Sequence, residues 1–238
     1  MTDKLRLRFE KTGRAVYISH LDLMATMQRA FSRAELPLKY SEGFNPHPLI
    51  SILLPLSVGT ASVCELMDFR LREEPDAETL RTIPARLTAV LPEGIRVTEA
   101  YPSERKSAQL KWLDVRGTLE YDSGAPALNA LRDFFAQPEL IIEKKTKRGF
   151  GQADIRPAIQ RIAFLPATGQ AAGDDTEPGR TASVESAVIL TARISAQEPT
   201  LNPDHLIQAL RQLQPQHAPD FAEFTRLETY DAAGAVYR

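Results

Sequence analysis

Three side chains able to hold a metal or transfer a proton occur in the first fifty residues. His20 and Asp22 lie at the start of a predicted helix, and His47 follows in the segment YSEGFNPHP, residues 40–48. If the helix start and this segment converge, two imidazoles and a carboxylate could bind a divalent metal or act as general acid and base. Alternatively, Asp22 only caps the helix and the histidines are polar residues near turns. We predict no metal site and leave catalysis by His20, Asp22 or His47 open.

The segment YSEGFNPHP also has the composition of a ligand-binding loop. Gly43 permits backbone angles closed to other residues, and Pro46 and Pro48 stiffen the chain that follows. Such a loop could stack a base on an aromatic ring or cradle a phosphate with backbone N–H groups. The residues predicted to contact RNA here are Tyr40, Ser41, Gly43, Phe44 and Asn45. The alternative is a connector whose prolines only set the entry to the next strand.

Two groups of basic residues could hold the phosphates of an RNA chain. The first group is Arg6, Arg8, Arg29 and Arg33. The second is Lys144, Lys145 and Lys147 in EKKTKRGFGQADIRP, where a predicted Gly-Phe-Gly turn presents Phe150 for stacking. Clustered cations beside an aromatic ring suit a phosphodiester chain. A solvated hairpin tip would have the same composition.

The elements that position these residues follow from periodicity. LRLRFEK alternates apolar and charged residues, which predicts a half-buried strand with Arg6 and Arg8 on one face. From Ser19 the period becomes helical, and Ser19 with Asp22 forms a capping box. This helix is predicted to end by Pro37, ahead of the loop.

The order of predicted elements in the first half is β-α-β-β-α-β, and the second half is predicted to repeat it. This predicts an α+β protein of two tandem ferredoxin-like (βαββαβ) units with antiparallel sheets. The expected domains are residues 1–102 and 109–238, with a flexible loop at 166–183 in the second. A break or kink is expected at Pro84, and DIRPAIQRIAFL is expected to be an extra strand or short helix.

Composition restricts the function classes. The chain has 238 residues, a formal net charge of −2 and a single cysteine, Cys64. It therefore lacks a global basic field, an internal disulfide and any cysteine-only metal site. The N-terminus lacks a signal-peptide pattern and no apolar run is long enough to span a bilayer, so we expect a cytoplasmic protein without membrane contact.

The sequence resembles a known family. The run from RFEKTGRAVYISHLD through YSEGFNPHPLISILLPLSVGT to CELMDFRL, together with EKKTKRGFGQADIRP, is similar to the uncharacterised "radical SAM-linked protein" family. Its members occur beside, or as the C-terminal part of, cobalamin-binding radical S-adenosylmethionine (SAM) proteins. The resemblance implies a radical SAM protein as partner and implies no reaction or cofactor for this chain itself.

These observations predict an RNA-binding accessory protein that presents a structured RNA, tRNA or rRNA, to a radical SAM modification enzyme. One alternative is a protein-protein adaptor of that enzyme without RNA contact. Another is a metal-independent ribonuclease using His20, by analogy with tandem ferredoxin-like proteins of CRISPR systems that cleave RNA with a histidine on the first helix.

Overall fold

The computed structural model describes residues 3–146, 149–167 and 186–238, with the backbone alone at 145 and 146. The protein is α+β and divides into two compact units: Met1–Gln109 with Tyr237–Arg238, and Leu110–Val236. Apart from residues 166 and 167, the loop predicted at 166–183 lies outside the described residues.

The first unit contains four strands and two helices in the predicted order. They are β1 (Leu5–Lys11), α1 (His20–Arg33), β2 (Ile50–Ile52), β3 (Ala61–Phe69), α2 (Ala77–Thr88) and β4 (Ile95–Pro102). The strands pair in the order β4-β1-β3-β2, and each pair is antiparallel. A short 3₁₀ turn, Gly13–Tyr17, joins β1 to α1.

The core of this unit follows from the alternation of residues along β1 and from their helical spacing along α1. Leu5, Leu7 and Phe9 alternate along β1 and are buried, and the stripe of α1 that includes Met27 and Phe31 packs against the same cluster. Residues of α2 and β4 complete it. Both helices therefore bury their apolar faces against the sheet, and the polar face of α1 is left outside.

Local interactions explain both ends of α1. The Ser19 hydroxyl oxygen accepts a hydrogen bond from the Asp22 N–H at 3.2 Å, which confirms the predicted cap. At the other end Glu35 adopts a left-handed φ of 55°, and the Leu36 N–H bonds to the Phe31 carbonyl at 3.0 Å. In α2, the break predicted at Pro84 is not observed, because the helix continues to Thr88.

The described residues of the second unit form six strands and two helices. They are β5 (Leu110–Glu120), α3 (Leu128–Phe135), β6 (Ile141–Thr146), β7 (Gly149–Asp154), β8 (Ile159–Pro166), β9 (Ala187–Ser195), α4 (Asp204–Leu213) and β10 (Phe221–Asp231). Four strands form a sheet in the order β10-β5-β9-β8, and β6 pairs with β7 in a separate two-stranded sheet.

Two features of the second unit differ from the sequence prediction. The expected Gly-Phe-Gly turn at 149–151 lies within β7, because these residues pair one by one with Thr146, Lys145 and Lys144 of β6. The segment DIRPAIQRIAFL forms a short 3₁₀ turn, Arg156–Ala158, followed by β8. None of the helices in the described ranges has the length and apolar character needed to cross a membrane.

Candidate nucleic-acid interface

The structure places Arg6 inside the protein. Arg6 is fully buried and faces Asp68 in the register of β1 and β3. Its Nε donates to Asp68 Oδ1 at 2.6 Å and its Nη2 donates to the Arg105 carbonyl at 3.0 Å. Burial alone would lower the pKa of Arg6, but the hydrogen bond and charge of Asp68 raise it above its ordinary value. The prediction that Arg6 faces a ligand is therefore wrong, since its charge is neutralised internally.

Arg8, two residues along β1, is half-buried and stands opposite Glu99 of β4. The alternating pattern correctly placed Arg6 and Arg8 on one face of the strand. Because Arg6 is buried and Arg8 is half-buried, that face is not an open basic surface.

The predicted convergence of His20 with the loop at 40–48 does not occur. His20 is the first residue of the 14-residue helix α1, so it lies about 20 Å from Arg33 at the other end. The loop is tied to that other end, because Tyr40 lines a groove with the C-terminal half of α1 and His47 bonds to Ser41 beside it. Among the described residues, no three or more His, Cys, Asp or Glu side chains are arranged to hold a metal ion.

Asp22 has a local structural role at the start of α1. Its carboxylate accepts a hydrogen bond from the Ser19 hydroxyl at 2.7 Å, and the side chain is exposed. Asp22 therefore belongs to the helix cap.

The structure instead brings three of the predicted RNA contacts into one groove. Arg29 and Arg33 on the outer face of α1 lie across from Tyr40, and the groove between them has a volume of about 530 Å³. Sequence reasoning missed other members of the lining, which are Gln28, Ser32, Pro37, Leu38 and Arg72. We call this set of eight residues the α1 groove.

The α1 groove carries positive charge that no acidic side chain among the described residues neutralises. Arg29 makes a 3.3 Å hydrogen bond to the Thr26 hydroxyl, and Arg33 approaches the Val90 carbonyl at 3.5 Å. Within the described part of the chain, neither these two guanidinium groups nor that of Arg72 forms an ion pair. An anion entering the groove would meet three available cations.

Two cations adjacent in sequence to groove residues, Lys39 and Arg70, are neutralised by Asp3. Lys39 Nζ lies 3.3 Å from Asp3 Oδ2, and Arg70 Nε lies 3.4 Å from Asp3 Oδ1. The uncompensated charge is therefore concentrated on Arg29, Arg33 and Arg72.

The loop at 40–48 is held at its base by backbone and side-chain bonds. Tyr40 and Pro48 form an antiparallel bridge, and the Ser41 N–H donates to the His47 carbonyl at 2.8 Å. The Ser41 hydroxyl oxygen also accepts from the His47 N–H at 3.1 Å and lies 2.9 Å from His47 Nδ1. These bonds give His47 a structural role at the base of the loop.

The tip of this loop is open to solvent. Gly43 has a φ of 123°, a conformation that side-chain-bearing residues rarely adopt, and a Cβ built there would meet nothing within 4 Å. Phe44 is completely exposed and Asn45 is exposed beside it. A wholly exposed phenylalanine on an anchored loop is available to stack on a planar ligand.

The second predicted basic group lies on the β6–β7 hairpin. Glu143 fixes this hairpin to α4, because its N–H donates to Gln212 Oε1 at 2.8 Å and its carbonyl accepts from Gln212 Nε2 at 2.9 Å. Lys144 is half-buried, and Phe150 is 74 % exposed. For Lys145 only the backbone pairing with Phe150 is described, and Lys147 lies outside the described residues.

The half-buried His205 of α4 lies near this hairpin. Burial lowers its pKa, and the nearby charge of Lys144 lowers it further. His205 is therefore biased toward the neutral form beside the basic strand.

The signal for most of the α1 groove was present in the sequence. Gln28, Arg29, Ser32 and Arg33 recur at helical spacing opposite the apolar stripe of α1. Arg72 gave no such signal, because it reaches the groove only through the fold.

Residues 4–203, well over half of the chain, match the model of a family described as "Uncharacterized protein conserved in bacteria (DUF2344)". The chain belongs to this family. The matched range includes the α1 groove, the loop at 40–48 and the β6–β7 hairpin. A comparison with curated proteins gave no significant match.

Proposed function

We propose that this DUF2344 protein binds a structured RNA, tRNA or rRNA, and presents it to a radical SAM modification enzyme in the cytoplasm. The observation that carries RNA binding is the α1 groove, in which Arg29, Arg33 and Arg72 form no ion pair with any described residue and lie around the exposed Tyr40. The arginines can pair with phosphates and the tyrosine ring can stack on a base. The combination therefore fits RNA better than either feature alone.

The charge distribution of the chain is compatible with this proposal. A formal net charge of −2 provides no long-range attraction to nucleic acid, so binding depends on the local groove. The slope of log affinity against log salt concentration is then proportional to the small number of phosphates contacted.

A second contact surface is proposed on the other unit. Lys144 and the exposed Phe150 lie on neighbouring strands of the β6–β7 hairpin, which Gln212 fixes to α4. An anchored hairpin loses little conformational freedom on binding RNA.

The proposed fold of both units is ferredoxin-like. The strand orders β4-β1-β3-β2 and β10-β5-β9-β8 support this interpretation, with β6–β7 as an insertion in the second unit. The radical SAM partner is proposed from the resemblance of SHLD and YSEGFNPHP to the radical SAM-linked proteins.

The groove gives RNA binding a direct test. We expect purified protein to retain RNA at about 50 mM salt, with affinity falling linearly on a log–log plot against salt. Replacing one groove arginine, as in Arg72→Gln, should weaken all RNAs similarly and reduce the slope by about 1. The matched control is Arg14→Gln, which removes an exposed arginine on the 3₁₀ turn before α1.

The results distinguish the groove from general charge effects. Equal slopes for wild type, Arg72→Gln and the triple Arg29→Gln/Arg33→Gln/Arg72→Gln variant would overturn RNA binding by the groove. So would a complete lack of RNA retention at low salt.

The presenting role needs a cellular measurement. Deleting the gene should remove a modified nucleoside from tRNA or rRNA, as read by mass spectrometry of digested RNA. The wild-type chain and the Arg14→Gln control should restore it, and the triple variant should not. Restoration by the triple variant would favour the adaptor without RNA contact.

A further inference from the structure

We infer that the α1 groove holds one unpaired nucleotide of the RNA, with its base on Tyr40 and an adjacent phosphate on the groove arginines. This inference rests on the proposed RNA binding and specifies which part of the RNA enters the groove.

The size of the groove favours a single nucleotide. A volume of about 530 Å³ lies within the range of sites for small organic ligands. One wall is the polar face of α1 and the other contains Pro37, Leu38 and Tyr40. A base-paired helix keeps its bases stacked inside and shows its phosphates outside, so it could reach the arginines but could not place a base on Tyr40.

The chemistry of the lining is suited to the parts of a nucleotide. Pro37, Leu38 and Tyr40 offer apolar and aromatic contact to a base, and Leu38 is itself buried and fixed. Gln28 and Ser32 offer hydrogen bonds to base edges or to a ribose hydroxyl. The three arginines supply the charge for a phosphate.

Tyr40 is exposed and its backbone is fixed, so it is positioned to stack on a base. Tyr40 is 52 % exposed as a residue, and its backbone pairs with Pro48. The backbone of its neighbour Lys39 is also held. The Lys39 N–H donates to the Arg70 carbonyl at 2.9 Å, and the Lys39 carbonyl accepts from the Leu49 N–H at 2.8 Å. A platform fixed on both sides costs little entropy when a base binds.

A chain of nucleotides is favoured over a free one by the neighbouring loop. Phe44 is completely exposed four residues beyond Tyr40, at the tip of the same anchored loop. Successive aromatic residues on one loop are the arrangement by which single strands are bound without sequence preference.

The test compares paired and unpaired RNA on the full chain. Fluorescence anisotropy is measured with a labelled 12-nucleotide single strand and with a blunt duplex containing the same strand. We expect the single strand to bind at least 10-fold more tightly. Tyr40→Leu should weaken single-strand binding by about 5- to 150-fold, the range for loss of one base–aromatic stack, and Tyr40→Phe should retain it.

The control variant is Tyr17→Leu, which removes another tyrosine of the first unit that is 70 % exposed but lies before α1 and outside the groove. It should bind both RNAs like wild type. Thermal unfolding of each variant confirms that affinity changes do not reflect misfolding.

Each other outcome decides between the two proposals. Equal affinity for duplex and single strand, sensitive to Arg72→Gln but not to Tyr40→Leu, would overturn the unpaired nucleotide and leave RNA binding intact. No binding of either RNA would overturn RNA binding itself. Binding of adenosine monophosphate alone, as measured by calorimetry, with no RNA bound would assign the groove to a free nucleotide and overturn the inference.

Discussion

Both units of the protein pair an arginine with an aspartate at facing positions of two neighbouring strands, with the charges exchanged. In the first unit Arg6 of β1 faces Asp68 of β3. In the second unit Asp114 of β5 faces Arg193 of β9. Each arginine also lies over a tyrosine ring, Tyr237 at 5.1 Å in the first unit and Tyr230 at 3.8 Å in the second.

The two pairs differ in their access to water. The side chains of Arg6 and Asp68 are 0 % and 9 % exposed, whereas those of Arg193 and Asp114 are 14 % and 15 % exposed. Asp114 also accepts a 2.8 Å hydrogen bond from Arg161, which is 64 % exposed. Asp68 likewise has a second cation, because Lys4 Nζ lies 2.5 Å from its Oδ2 and the Lys4 side chain is 33 % exposed. The contrast therefore lies in the facing pair itself, which is sealed in the first unit and partly solvated in the second.

This difference indicates which arginines are available to a ligand. Arg6 cannot turn to a phosphate without breaking its 2.6 Å bond to Asp68 inside the protein, which is costly because the Arg6 side chain is fully buried. The arginines of the α1 groove have no such partner in the described structure. The number of arginines in the sequence would not have distinguished the buried Arg6 from the arginines of the α1 groove.

The largest expected effect is on the sealed pair. Asp68→Asn leaves the buried charge of Arg6 without its counter-ion, so we expect a loss of about 3–5 kcal/mol in the free energy of unfolding. Urea unfolding followed by far-UV circular dichroism measures it. A loss below about 1 kcal/mol would mean that water reaches Arg6 and that the two pairs do not differ as described.

The partly solvated pair should be weaker. Asp114→Asn removes charged hydrogen bonds, but Arg193 and Arg161 retain some contact with water, so we expect a loss of about 1–2 kcal/mol. Trp112, the only tryptophan, lies on the same strand and reports unfolding of this unit by fluorescence. A loss as large as that of Asp68→Asn would remove the contrast.

The pH dependence of the same variant gives a second measure. Burial alone would raise the pKa of Asp114, but hydrogen bonds from Arg193 and Tyr230 and the charge of the arginines lower it below its ordinary value. The folded state therefore binds fewer protons than the unfolded chain, whose aspartates titrate near about 3.9. The contribution of Asp114 is complete above that pH and is lost as the pH falls through the lower pKa of the folded state.

The measurement is the free energy of unfolding of wild type and Asp114→Asn between about pH 6 and pH 2.5. The difference between the two proteins should shrink in acid as Asp114 of the wild type becomes protonated. A difference that stays constant over this range would show that Asp114 does not titrate as expected.

Much of the local structure was predictable from short-range patterns. The alternation in β1, the apolar stripe of α1 and the cap at Ser19 all depend on neighbours within four residues. The outer face of α1 with Arg29 and Arg33 followed from the same periodicity. Strand β7 was missed because Gly149 and Gly151 favour turns, and its pairing with β6 overrides that preference.

What could not be predicted depends on distant contacts. Arg6 and Asp68 are 62 residues apart, so the sequence gives no sign that the polar face of β1 is covered. The separation of His20 from the loop follows from the direction of α1, which begins near the end of β1. The loop is connected instead to Asp3, just before β1, through Lys39.

The smallest expected effect is on Arg161, the exposed third residue that also bonds to Asp114. Arg161→Gln leaves the bidentate bond between Arg193 and Asp114 intact, so we expect a change of about 0–0.5 kcal/mol in the free energy of unfolding by Trp112 fluorescence. The pair would then owe its stability to the facing strands, as in the first unit. A loss similar to that of Asp114→Asn would show instead that Asp114 depends on both arginines and that the facing pair does not act alone.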